Sequence, residues 1–144
     1  MTFLAADLNS AGPLIISLTT VGKFISLTAS FATVGFLLAM AFFLLDDAGK
    51  LSKSAKGLRN AAAISALLWA LGQSLNILTT LANILGTSIS DALDPTSLRS
   101  FISQIDLGKY MFIHLCLALF ICILVLRART VAAANALLLL SIVA

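Results

Sequence analysis

Apolar residues along this chain come in long runs rather than in the short alternations of a soluble domain. The first unbroken run is Phe24 to Leu45. At 1.5 Å per residue its 22 residues make a helix of about 33 Å, enough to cross a bilayer core. The second run, Ala61 to Gly86, holds 26 residues without a charge. The third is Tyr110 to Leu126, which Gly108 and Lys109 extend, because a lysine near a helix end can snorkel. The fourth, Val131 to Ala144, has 14 residues and covers only about 21 Å. The pattern therefore predicts an all-α, polytopic transmembrane bundle in one domain. Its spans are about 24–45, 61–86, 108–127 and 131–144, three full and the last partial. The short fourth run is the expectation of a chain that belongs to a longer membrane protein.

The polar positions refine this layout. Before Lys23, the stretch Pro13 to Gly22 either lengthens the first helix or forms a separate interfacial turn, with Pro13 suited to a helix's first position. Between the second and third runs, Asp94 is placed to cap a helix starting at Pro95. Leu98, Phe101, Ile102 and Ile105 then follow at i, i+3, i+4 and i+7, one apolar face of a short amphipathic helix at the outer surface. It reads either as a plain interfacial helix or as a lid.

Within the second run, Ser65, Trp69, Gly72, Asn76, Thr79 and Asn83 recur at steps of three and four, with Gln73 beside them. Polar groups in lipid must find partners or face the bundle interior. This stripe should therefore meet other helices, either as hydrogen-bonding glue or as the wall of a polar pathway. The opposite stripe of Leu68, Leu71, Leu75, Leu78, Ala82 and Leu85 should face lipid. In the first helix, Thr28, Ala32, Gly35 and Ala39 form a small stripe, and Gly35 and Ala39 make a small-xxx-small pair for close packing.

Composition narrows the function. Of the 144 residues, 60% are apolar and 10% charged, and mean hydropathy is +1.10. A soluble domain carries about 25% charged residues. All six acids are Asp, so carboxylates for catalysis are scarce, and a net charge of +3 is too scattered for a nucleic-acid surface. An enzyme is the least supported class. Lys50, Lys53, Lys56 and Arg59 lie in the 46–60 loop, and Arg127 and Arg129 follow the third run. The positive-inside rule then puts the loops 46–60 and 127–130 in the cytoplasm and the N-terminus outside. Cys116 and Cys122 read as small hydrophobes.

The single His is His114, three residues from Met111 on the same helical face. Thioether and imidazole both suit copper, so the pair is a candidate partial metal site. The competing reading is a structural His hydrogen-bonded near Asn83.

Several segments resemble the N-terminal membrane region of the copper resistance protein D family. They are Gly35 through Leu45, Leu58-Arg59-Asn60-Ala61-Ala62, Trp69, Gly86-Thr87-Ser88-Ile89, and Phe101-Ile102-Ser103-Gln104-Ile105-Asp106-Leu107-Gly108-Lys109. The resemblance covers about three-quarters of the chain and is closest to actinobacterial forms. It implies copper handling or transport across a bacterial cytoplasmic membrane, with further helices continuing the bundle. Two other readings stand beside it: a non-catalytic accessory subunit of a larger membrane complex, and lipid or pigment binding between helices around Trp69 and the phenylalanines.

Overall fold

The computed structural model describes residues 2–43, 55–127 and 131–143. Six helices run in chain order: α1 (Thr2–Phe43), α2 (Ala55–Leu85), α3 (Ile89–Ala92), α4 (Pro95–Gln104), α5 (Asp106–Arg127) and α6 (Val131–Val143). No strand occurs among the described residues. Three helices are long and apolar enough to cross a membrane: Leu14–Phe42, Gly57–Leu85 and Asp106–Arg127. The fourth, α6, has 13 residues.

Contacts close α1, α2, α5 and α6 into a ring: α1 meets α2, α2 meets α5, α5 meets α6, and α6 returns to α1. The core of the ring is one cluster of buried residues, among them Leu37, Ala66, Trp69, Ile121, Val125 and Leu137. A second cluster caps the end of the bundle that carries α3 and α4, where Ile15, Ile77, Leu81 and Ala82 meet Ala92 and Phe101.

Several boundaries differ from the sequence expectation. The stretch before Lys23 lengthens the first helix, so Pro13 lies inside α1 rather than opening it. In transmembrane helices neighbouring groups re-satisfy the backbone that a proline frees. The second helix begins at Ala55, ahead of the expected 61, and takes in the end of the basic loop. Its first turns, Ala-Lys-Gly-Leu-Arg, are charged but mostly good helix formers. The remainder of that loop, 46–54, and residues 128–130 lie outside the described residues.

The connection between α2 and α5 forms as expected and adds one turn. Asp94 caps α4, its carboxylate accepting from the Ser97 amide at 3.0 Å, and Pro95 opens the helix. The added turn is α3, where Ser88 caps by accepting from the Asp91 amide and donating to its carboxylate. Phe101 on α4 is 1% exposed and packs on the bundle, while Ile105 of the same face is 38% exposed. Upstream, α2 stops at Gly86, whose φ of +63° is the left-handed conformation that glycine adopts without strain. The Thr87 amide then reaches back to the Ala82 carbonyl at 3.1 Å, closing the helix end.

The helices α1 and α2 cross at close range. A Cβ on Gly72 would lie 2.7 Å from the Ser26 amide nitrogen and 3.1 Å from the Gly22 carbonyl oxygen. The small-residue contact therefore lies at Gly22, Ser26 and Gly72. It is not at Gly35 and Ala39: Gly35 is exposed with open space around it, and Ala39 is half-buried. Both pairs have the right spacing, but only the turn carrying Gly22, Ser26, Ala29 and Thr33 is rotated toward α2.

Gly72→Leu should separate α1 from α2 and destabilise the bundle by about 1–3 kcal/mol, the usual penalty of overpacking. Gly35→Ala should be neutral or slightly stabilising, since it adds helix propensity and meets nothing. Unfolding in mixed micelles followed by circular dichroism distinguishes the two. Equal effects would contradict the crossing point.

Candidate functional site

A cleft of about 570 Å³ opens at the middle of the ring. All four ring helices contribute: Lys23, Ser26 and Ser30 with Leu27, Phe31 and Val34 from α1, Trp69, Gln73 and Asn76 from α2, His114 from α5, and Ser141 from α6.

Its depth follows from helix arithmetic. The α1 span, Leu14–Phe42, is centred on Thr28, and the α2 span, Gly57–Leu85, on Leu71. The crossing at Ser26 and Gly72 lies within two residues of the middle of each apolar segment. Lys23 is five residues from the α1 centre, about 7.5 Å, and His114 is eight residues into α5, about 12 Å from its start. The polar cleft thus lies along the apolar segments of the helices.

The predicted polar stripe of α2 divides into three parts. Ser65, Asn76 and Thr79 are buried, at 5%, 4% and 0% exposure. The Thr33 hydroxyl of α1 donates to Ser65 Oγ at 2.9 Å, and Ser65 and Thr79 each return a hydrogen bond to their own helix. Ser65 is thus interhelical glue, whereas Thr79 bonds within its own helix. Gln73 works differently. Its carbonyl accepts from the Ser26 hydroxyl at 3.2 Å, and its amide donates to the Met111 carbonyl at 3.4 Å, joining α1, α2 and α5. Asn83 departs from the stripe and is exposed. At that level α3 and α4 pack on the other side of α2, burying Leu81 and Ala82 instead. That packing also removes Ala82 from the expected lipid stripe, in which Leu68, Leu71 and Leu85 are exposed.

Met111 and His114 share a helix face by spacing, but the structure gives them different surroundings. Met111 is half-buried against the second apolar cluster. His114 is exposed and lines the cleft, with no hydrogen bond to Asn83. Among the described residues, no group of three or more His, Cys, Asp and Glu side chains is arranged to hold a metal ion. A single imidazole is an incomplete donor set for a resident copper ion. Cys122 is half-buried and its thiol donates to the Ala63 carbonyl at 3.4 Å, while Cys116 is exposed on α5.

Two features of the cleft escaped sequence reading. The first is Lys23, to which the sequence assigns no place in a site. Here it faces the polar cleft from within α1, and a charged lysine at a helix centre costs about 2.5–3.5 kcal/mol to insert. The only ion pair among the described residues is Lys109 with Asp106, exposed at the start of α5. The second is Asn76, whose buried Oδ1 has no hydrogen-bond partner. The sequence signal for the place of Lys23 within a helix was the apolar stretch Pro13 to Gly22 just upstream, which α1 takes in.

The fold and this interior polar cleft define a polytopic α-helical membrane protein. The chain belongs to the family described as copper resistance protein D-like, N-terminal domain, which it matches over residues 14–144. It is therefore a copper-related membrane protein, and the family points to a bacterial membrane. No curated protein and no solved structure matches it.

The Gln73 bridge should be measurable. Gln73→Leu removes two interhelical hydrogen bonds, which average about 0.6 kcal/mol each in a membrane bundle. A double-mutant cycle with Ser26→Ala should return a coupling of about that size. Zero coupling would mean the bond does not join the helices.

Proposed function

We propose that this chain forms part of a pathway that moves copper across the bacterial cytoplasmic membrane, without catalysing a chemical reaction. The observation that carries the reading is the position of His114, an imidazole opening onto a polar cleft inside the membrane of a copper-resistance family protein. Imidazole binds both copper oxidation states. One exchangeable ligand on a path favours transfer over storage, because the ion must leave as readily as it enters. Met111, one turn outward, is a second soft donor on the approach.

In a copper-loading assay on proteoliposomes holding the full-length protein, His114→Ala should slow uptake about tenfold, and Ser90→Ala should leave it unchanged. Equal rates for the wild type and His114→Ala would remove His114 from the path. An accessory-subunit role is favoured by one observation: only 17% of the α5 span is buried, which leaves an apolar face for partner helices as well as for lipid. That reading requires stable co-purification with a partner and no copper transfer by the chain itself.

The orientation belongs to the same proposal, with the N-terminus outside and the basic loops 46–60 and 127–130 inside. With Cys116 and Cys122 replaced by Ser, Ser90→Cys should react with a membrane-impermeant maleimide added outside intact cells. Reaction only after lysis would invert the topology.

A further inference from the structure

We infer that the polar cleft binds a small amphipathic carboxylate, with Lys23 as its counterion. The inference goes beyond the copper reading and uses no metal.

Three observations support it. Lys23 lines the cleft and has no ion-pair partner among the described residues. An ionisable side chain inside a membrane normally meets a counter-charge or a water-filled cavity. Gln73 and Asn76 line the same cleft, so one wall beside the ammonium is polar. The cleft's formal charge is positive: its lining has a lysine, a histidine, serines and two amides, but no Asp and no Glu.

Among the described residues no acidic side chain lines the cleft. Asp91, Asp94 and Asp106 lie in or beside α3, α4 and the start of α5, and Asp7 precedes Lys23 by 16 residues, about 24 Å of helix.

The rest of the lining sets the ligand's other end. Leu27 and Phe31 are 59% and 68% exposed, and with Val34 and Trp69 they form an apolar wall beside the ammonium. A volume of about 570 Å³ lies within the usual 300–1,000 Å³ of small-molecule sites. One cation beside an apolar wall matches an acid with a hydrocarbon tail, entering sideways from the lipid.

Trp69 is the only tryptophan and lines the cleft, so it reports occupancy directly. The test uses the full-length protein in zwitterionic-lipid nanodiscs at pH 8, titrated with dodecanoate brominated at mid-chain. The control probe is the same brominated chain with a trimethylammonium head. The carboxylate should quench Trp69 saturably, and the cationic probe should quench only in proportion to its concentration in the lipid. Lys23→Gln should weaken the carboxylate's apparent affinity at least tenfold, and Lys23→Arg should restore it. Far-UV circular dichroism checks that both variants remain folded. Identical quenching by both head groups, or by wild type and Lys23→Gln, would overturn the proposal. So would the absence of saturable quenching, which would mean that another protein segment or lipid fills the cleft.

Discussion

The backbone contact between α1 and α2 at Gly72 governs most of what this bundle does. Lipid tails are as apolar as leucine, so helices inside a bilayer gain little from burying leucine against leucine. Close approach of backbones is what remains, and Gly72 against Ser26 and Gly22 supplies it. The contact also works as a register pin. It aligns the centre of one span with the centre of the other, and so sets the depth of every polar group on both helices. Sliding α1 by one turn would carry Lys23 about 5.4 Å along the bilayer normal and take Ser26 away from Gln73.

Around that pin, hydroxyls and amides hold the bundle in two ways. Thr33 and Ser65 join α1 to α2 while each also bonds its own helix, so neither is left unsatisfied in any helix arrangement. Such bonds are individually weak, since the separated helices satisfy the same groups. Gln73 has no such fallback. Both ends of its amide are committed to other helices, to Ser26 on α1 and to the Met111 backbone on α5. It is the residue through which a change at the cleft is felt by three helices together.

Much of this was legible in the sequence. Run length alone separated the three spans from the shorter α6, and Asp94-Pro95 announced α4. The α2 stripe was read correctly at Ser65, Gly72, Asn76 and Thr79, because polar side chains in lipid have one sensible direction. Sequence reading failed where a position's meaning depended on a neighbour. Gly35 and Gly72 look alike as small residues; only the rotation of α1 decides which one meets a helix. Asn83 has the right spacing but lies where α3 and α4 draw the packing to the other side of α2. Lys23 meets the cleft because α1 runs on upstream of it, which its charge alone does not announce.

The charge of the cleft limits how copper can use it. A bare cation approaching His114 passes a fixed ammonium in a low-dielectric setting, where like charges repel far more strongly than in water. A cationic cargo therefore fits this cleft poorly unless the lysine is neutralised first. An anion paired with Lys23 would do that, and would leave the imidazole of His114 as the accessible donor beside a neutral pair. On the proposed readings the two uses of the cleft are compatible, and charge compensation at Lys23 would come before contact between a metal ion and His114. The small-residue crossing at Gly72 makes that order possible, because it is what sets the depth of Lys23 in the membrane.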